Sequence, residues 1–280
     1  MKFLRLFRSQ STNTKDYVKY AVGEVFLVVI GILIALSVNN ANEERKLRKE
    51  EKKILLSLHS EISNNLNSLE TALLEKKIII DINNEFLKYT GPESEWKSES
   101  KLDSLMYYFS VSGWNYVADN GVLNEIINSG KLSIIDDVKI KNLVSSLPQQ
   151  ISQIVEEDRV YRDDLHQYFL PFISKNYKLR NFTEYRELYK FSKSDLGKSK
   201  FKLFDNNLIN NLEFENILTI QSIWIKFSIE MCENLQIKFS KIQELIESKY
   251  DDVDYDRLNQ DLEEGFWGYL IPNTSVKVFA

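Results

Sequence analysis

A single apolar run, residues 25–38, constrains this chain more than any other feature, because the run must be buried or placed in lipid. It contains one polar residue, Ser37, and no later segment resembles it. A hydrocarbon core of about 30 Å needs roughly 20 apolar residues in a helix. Extending the run back to Tyr17 gives a helix of sufficient length, with two tyrosines at the membrane interface. The sequence therefore predicts a transmembrane helix over residues 17–39.

A cleaved secretory signal peptide is the alternative interpretation of this segment, because a basic stretch precedes the apolar run. Cleavage would then fall near residues 35–37 or 39–41. Both the apolar run and the basic stretch are long for a signal peptide, which favours a retained anchor. We therefore expect a single-pass protein of the inner, or cytoplasmic, membrane, with the lipid bilayer as its first partner.

Flanking charge predicts the orientation of the span. Residues 1–24 carry five lysines and arginines against two acidic residues. Basic flanks stay on the cytoplasmic side, so the N-terminus is predicted to lie inside and the following domain in the periplasm. A second basic cluster at residues 45–53, interleaved with glutamates, opposes this orientation.

The remainder of the chain is predicted to be helical, because it has few residues that break helices. The whole sequence contains nine glycines and four prolines. Apolar residues recur at helical spacing over residues 43–89 and again over residues 206–249. This pattern predicts an all-α fold, in which an N-terminal transmembrane helix precedes a long-helix bundle with coiled-coil packing and short connecting helices. The predicted segments are a cytosolic basic tail at 1–16, the transmembrane helix at 17–39, a helical domain at 40–250 and a C-terminal tail at 251–280.

Several residues predict where individual helices begin and end. Asp137 is expected to cap a helix, Gly130 to end one in the left-handed conformation, and Pro148 to begin a longer helix that Pro171 kinks or ends. The last long helix has a predicted core-facing stripe of Leu208, Leu212, Ile217, Ile220, Trp224, Phe227, Met231, Leu235, Phe239, Ile242 and Ile246.

Net charge argues against a nucleic-acid-binding protein, and the cysteine content excludes a fold held by intrachain disulfides. The chain carries a net charge of −5 although its first 24 residues are basic, which argues against a nucleic-acid partner. Cys232 is the only cysteine, so no intrachain disulfide is possible. Its place in an apolar helical pattern predicts a buried structural thiol.

The predicted membrane helix carries a candidate interface around Glu24. At helical spacing, Glu24, Val28, Gly31 and Ala35 share one face, and the pair Gly31 and Ala35 would let a second helix approach closely. A carboxylate near lipid is costly unless it is paired or protonated. This face therefore predicts contact with a second copy of the chain or with another membrane protein. Alternatively, Glu24 lies among the lipid headgroups and is hydrated.

No pattern in the sequence indicates catalysis. The acidic sequence at residues 163–166, which ends in His166, could supply a carboxylate-based metal site together with Glu156 and Glu157. A solvated helix face is the preferred interpretation of these residues. No G-x-S-x-G nucleophile motif occurs. We therefore predict no catalytic residue, no metal ligand and no cofactor.

Two functions remain after enzymes are set aside. The first is a membrane-anchored scaffold that binds a partner through its helices. The second is a sensory or ligand-binding bundle with a pocket near Trp114, Tyr116 and Trp224, acting through a partner. Aromatic residues at such positions usually pack in a core, so the scaffold is preferred.

Two stretches resemble one known family. The first is YAVGEVFLVVIGILIAL at residues 20–36, followed by NNANEER at 39–45, and the second is LNEIINSGKLSII at 123–135. Together they resemble the domain of unknown function 6090 family, which consists of single-span bacterial membrane proteins. The resemblance extends over most of the chain and least over the residues after 250. It implies a membrane protein and no established activity.

Overall fold

The computed structural model describes residues 14–96, 98–111, 115–182, 197–201 and 206–263. It is 84% helical, and the described residues contain no strand, which confirms the predicted all-α fold. The helices are α1 (Thr14–Leu87), α2 (Glu99–Val111), α3 (Gly121–Asn128), α4 (Val138–Asp164), α5 (Leu170–Asn176), α6 (Asn206–Ile209), α7 (Leu212–Lys249) and α8 (Tyr255–Glu263). A 3₁₀ turn occupies Lys131–Ile134, and a π-helical turn, Leu165–Phe169, joins α4 to α5.

The chain divides into two compact units, residues 1–53 and residues 54–280. In the first unit, the apolar section of α1 exposes its side chains on every side of the helix. Apart from the half-buried Ile30, the exposed fractions of its large apolar side chains run from 45% for Val29 to 70% for Leu27. A helix that is apolar all round is stable only when something apolar surrounds it. This section is long and apolar enough to cross a membrane, and the structure buries none of it.

The second unit is built on three long helical segments. His59 of α1 contacts Glu247 of α7, and Asn83 of α1 contacts Ser222 of α7. The residue numbers of α7 fall as those of α1 rise, so the two helices are antiparallel. Residues 140–154 of α4 pack with the early part of this α1 segment, whereas residues 161–173 pack with its end. α4 is therefore parallel to α1.

Two separate hydrophobic clusters form the core of the second unit. The first cluster joins buried residues 54–73 of α1, 140–154 of α4 and 232–246 of α7. The second cluster joins buried residues 79–86 of α1, 102–109 of α2, 161–173 of α4 and α5, and 214–225 of α7. Aromatic rings dominate the second cluster: Phe86 lies edge-on to Phe109 at a centroid distance of 6.0 Å and to Phe214 at 5.9 Å.

The predicted helix ends are partly confirmed. The Asp137 side chain accepts hydrogen bonds from the backbone N–H groups of Lys139 and Ile140, as an N-cap does. Gly130 adopts a φ of 75°, the left-handed conformation expected after a helix. The prediction for Pro148 is wrong, because this residue lies inside α4 rather than at the start of a helix. Pro171 is likewise followed by helix: it lies in the first turn of α5, directly after the π-helical turn.

The predicted core-facing stripe of the last long helix is confirmed in most of its second half and in part of its first. Leu235, Phe239, Ile242 and Ile246 are buried as expected, and so are Leu208 and Ile217. The first half of the buried face of α7 holds polar side chains as well as apolar ones: Phe214, Ile217, Leu218, Gln221, Ser222, Ile225 and Ser228. The predicted stripe members Leu212, Ile220 and Phe227 are instead exposed. Apolar spacing alone therefore did not define the buried face of this part of α7.

Candidate functional site

A buried ion pair separates the two hydrophobic clusters. Lys76 of α1 donates to Oδ1 of Asp158 on α4 at 2.5 Å, and Ser228 of α7 donates to the same oxygen at 2.7 Å. The backbone N–H of Tyr116 donates to Oδ2 of Asp158 at 3.0 Å. Lys76, Asp158 and Ser228 with this backbone group are called the Lys76 layer. Each of the three helices contributes one polar side chain at the level where its apolar residues change from the first cluster to the second.

The Lys76 layer is a structural device whose charges compensate each other. The side chains of Lys76 and Asp158 are only 7% and 4% exposed. Burying two charges costs several kcal/mol each unless they pair and their remaining groups are hydrogen-bonded. Asp158 meets this condition, since its two oxygens accept three hydrogen bonds. Such a layer fixes the register of the helices, because any other alignment leaves a charge in apolar surroundings.

Cys232 lies one helical turn beyond Ser228 and is buried, as predicted. Burial raises the pKa of its thiol to about 11, so the thiol is protonated at neutral pH and is a poor nucleophile. Tyr116 is also buried, and burial is the main reason that the pKa of its phenol is raised. Its Oη atom has no hydrogen-bond partner among the described residues.

Two polar side chains of α1 hold the segment that leads into α3. Asn65 donates to the backbone oxygen of Asp119 at 2.7 Å and accepts from its N–H at 2.8 Å. Glu61 accepts from the backbone N–H groups of Val122 at 2.5 Å and Leu123 at 2.9 Å. These are orphan N–H groups of the first turn of α3, and the N-cap residue Asn120 makes no side-chain hydrogen bond to them. Glu61 therefore caps α3 from a different helix.

A second buried polar group lies further along the bundle, inside the second cluster. Asn83 of α1 donates to the Ser222 hydroxyl of α7 at 2.9 Å and to the backbone oxygen of Leu218 at 2.8 Å. Gln221 lies next to Ser222 and interacts with Asp164 of α4. Burial, and after it the charge of Asp164 one turn later on α4, raise the pKa of the Tyr161 phenol. Asn83, Tyr161, Asp164, Gln221 and Ser222 are called the Asp164 layer.

The Asp164 layer differs from the Lys76 layer in its unmet hydrogen bonds. Its buried atoms that lack a partner among the described residues are Asn83 Oδ1, Tyr161 Oη, Asp164 Oδ2, Gln221 Oε1 and Gln221 Nε2. Each buried group without a partner costs about 1–3 kcal/mol. Burial raises the pKa of the Asp164 carboxyl, and the Gln221 side chain offsets this rise only in part.

The residues of the predicted membrane interface lie on the exposed apolar section of α1. Glu24, Val28, Gly31 and Ala35 belong to one uninterrupted helix, so their spacing puts them on one face. All four are exposed. A Cβ atom added to Gly31 would meet no atom of the described residues within 4 Å. Contact of this face with a second helix stays a prediction.

Two of the three aromatic residues of the predicted pocket belong to the described part of the chain, and they pack in different clusters. Trp114 lies outside the described residues. Tyr116 is buried in the first cluster, whereas Trp224 packs half-buried against the second. A pocket lined by these residues stays a prediction.

One residue of the acidic sequence at 163–166, Asp163, belongs to a surface ion-pair network. Asp163 accepts from Arg159 at 2.5 Å, and Arg159 also pairs with Glu156 at 2.7 Å. Within the described ranges, no group of three or more histidine, cysteine and carboxylate residues is placed to hold a metal ion. Leu165 of this sequence is buried in the second cluster, and one carboxylate oxygen of the partly buried Asp164 is shielded from solvent.

Both polar layers were missed by the sequence analysis. A usable signal for the Lys76 layer was present, since Lys76 lies three residues after Leu73 and three before Ile79, on the apolar stripe of α1. Ser228 and Asp158 lie at equivalent places in the patterns of α7 and α4. A charged residue at a stripe position indicates a buried partner, although the partner's identity requires the three-dimensional contacts.

Comparison with known proteins gives one match. The model of a family of unknown function, DUF6090, matches residues 24–168. This match includes the second resembling stretch and most of the first, and it ends earlier than the sequence analysis expected. Searches of curated proteins and of solved structures found no match. Since the family model covers more than half of the chain, the protein belongs to the DUF6090 family, whose function is unknown.

Proposed function

We propose that this protein is a single-pass, membrane-anchored helical scaffold without enzymatic activity, which binds a protein partner. The observation that carries the proposal is the apolar section of α1, which is exposed on all sides. A soluble protein buries its apolar helix in its own core. Here the described residues bury none of the apolar section, and a bilayer is an apolar medium that fits a helix of this length.

The proposed location is the inner membrane, with the N-terminus in the cytoplasm and the helical domain in the periplasm. The basic residues that precede the span support this orientation. The proposed partner in the membrane is a second copy of this chain. Support comes from the face of Glu24, Val28, Gly31 and Ala35, which combines small residues with a carboxylate that is costly to leave beside lipid.

Membrane extraction tests the anchor. The full chain is expressed in a Gram-negative host, and vesicles are washed with alkaline carbonate. We expect the chain to stay in the membrane pellet with its original N-terminus. Release into the wash, or a mature product that begins after residue 35, would refute the anchor.

Disulfide crosslinking in native membranes tests the partner face. In a Cys232→Ala background, Gly31→Cys places one thiol on the proposed face, and Leu33→Cys places one about 200° around the helix as the matched control. We expect oxidation to give a covalent dimer for Gly31→Cys and little for Leu33→Cys. Adding Glu24→Gln should weaken the dimer. Equal crosslinking from both positions, or none from either, would contradict the proposed face.

A further inference from the structure

We propose that the outward side of the first half of α7 is a docking surface for an amphipathic helix of another protein, whose apolar face is flanked by basic residues. The inference rests on the proposed function, a scaffold that binds a protein partner, and it states where that partner binds and which chemistry recognises it. It begins from three exposed apolar residues, Ile220, Ile223 and Phe227, which are called the outer ridge.

The outer ridge lies on one side of α7. Its members are three and four residues apart, so they share one face of the helix, and Phe227 lies about 10 Å from Ile220 along the axis. The exposed fractions of Ile220, Ile223 and Phe227 are 45%, 46% and 49%. Trp224 and Met231, both half-buried, border this face. The spacing of the ridge is the one by which apolar side chains of one helix contact another helix.

The side chains at this level of α7 are distributed in the opposite way to those of an ordinary amphipathic helix. Gln221, Ser222 and Ser228 are buried, whereas the apolar outer ridge is exposed. Apolar residues scattered singly over a surface are ordinary, but a contiguous exposed group marks an interaction site. Packing within the bundle therefore does not account for the outer ridge, and a partner that covers it does.

Charge indicates which kind of partner fits the ridge. Residues 54–280 carry 35 acidic residues against 25 lysines and arginines, and an acidic surface favours association with a basic partner. On α7 itself, Glu213 and Glu230 are exposed together with one lysine, Lys226. Two outer ridges in contact would bring their glutamates together, which disfavours a second copy of the chain at this surface. A helix with lysines or arginines beside its apolar face would instead pair with them.

Site-specific photocrosslinking of the full chain, in the cells that naturally make it, tests the inference. Benzoylphenylalanine replaces Ile223 in one variant and Gln153, an exposed residue of α4, in the matched control. We expect a covalent adduct with another protein from position 223 and little from position 153. Mass spectrometry of the crosslinked peptide should identify a segment with apolar residues at helical spacing and more basic than acidic residues.

Two further changes, each combined with the crosslinker at position 223, separate binding from folding. Glu230→Lys should lower the adduct yield about fivefold, because an exposed ion pair becomes a repulsion. The matched control Glu70→Lys makes the same change on the exposed surface of α1 and should leave the yield unchanged. Phe227→Ser should abolish the adduct, while the melting temperature of the full chain in micelles stays within about 2 °C.

Several results would overturn the inference. An adduct from position 223 with a second copy, with the same chain or with lipid alone would do so, as would no adduct or a predominantly acidic partner segment. A melting temperature lowered by about 10 °C in Phe227→Ser would assign the outer ridge to the core instead. An adduct with another protein from Gln153 alone would refute this docking surface and leave the scaffold function standing. Release of the chain by alkaline carbonate, measured on the same membranes, would refute the anchor itself.

Discussion

Breaking the Lys76 layer gives the sharpest test of how this bundle is held together. Lys76→Met removes the ammonium group and keeps most of the side-chain volume, so Asp158 is left as a buried carboxylate with only Ser228 and a backbone N–H as partners. Asp158→Asn leaves the opposite charge unpaired. The double variant removes both charges and retains an amide that can bond to Ser228 and Tyr116.

The expected magnitudes follow from the burial of the pair. Removing one partner of a buried ion pair costs about 3–5 kcal/mol, because the other charge stays buried without compensation. For a domain of this size, that cost lowers the melting temperature by roughly 6–20 °C. The double variant should lose only about 1–3 kcal/mol, since no charge is left unpaired. The two single effects are therefore expected to be strongly non-additive.

Urea unfolding of the full chain in micelles, followed by circular dichroism, measures all four proteins of this cycle. Lys77→Met is the matched control, because Lys77 pairs with Glu233 at 3.0 Å on the surface and both side chains are about half exposed. An exposed pair contributes about 0–1 kcal/mol. The reasoning fails if each single variant loses less than about 1 kcal/mol, or if the double variant loses the sum of the two.

Four further predictions concern other parts of the second unit. Glu61→Ala should lower the free energy of unfolding by about 1–3 kcal/mol in urea titrations, because two N–H groups of α3 lose their acceptor; an unchanged urea midpoint would show that Glu61 is not the cap. Burial raises the pKa of Glu61 in the folded chain above its usual 4.5. The folded chain therefore gains stability when Glu61 is protonated. This contribution is complete below pH 4.5 and is lost as the pH rises through the raised pKa. The unfolding free energy of the unmodified chain relative to Glu61→Gln should therefore fall from pH 4 to pH 7, and a constant difference would contradict this. Cys232 should react with a thiol reagent only after urea unfolding, since its thiol is buried and its pKa is about 11; rapid labelling of the folded chain would refute this. Pro148→Ala should stabilise the chain by about 1–3 kcal/mol, because Pro148 withholds one backbone hydrogen bond inside α4; a lower melting temperature would count against it.

The sequence was sufficient for the fold class and for most local signals. Helix caps act through neighbouring residues, so Asp137 and Gly130 could be recognised from the sequence alone. Pro148 was misread because a proline usually begins or breaks a helix. Here the apolar residues on both sides of it, including Val144 and Ile151, are buried in one cluster, and their packing maintains the helix through the proline.

The sequence predicted the shared face of Glu24 and Gly31 but not the two polar layers, and the difference has a physical reason. The face of Glu24 and Gly31 depends only on helical spacing within one segment, so it could be derived without a structure. The Lys76 layer and the Asp164 layer each join residues that lie far apart in the chain, such as Lys76 and Asp158. Helical periodicity assigns each residue to a face but does not say which residues of different helices lie at the same level. It also favoured Ile220 and Phe227 for the core over Gln221 and Ser228.

The Lys76 layer also restricts the motions available to the bundle. A slide of α1 past α4 by one helical turn, about 5.4 Å, would pull the ammonium group of Lys76 away from Asp158 and leave both charges against hydrocarbon side chains. Transmission of a signal by sliding one helix along its own axis is therefore disfavoured in this domain. A mechanical signal would have to travel as a rotation or bend of the helices that keeps Lys76 paired with Asp158.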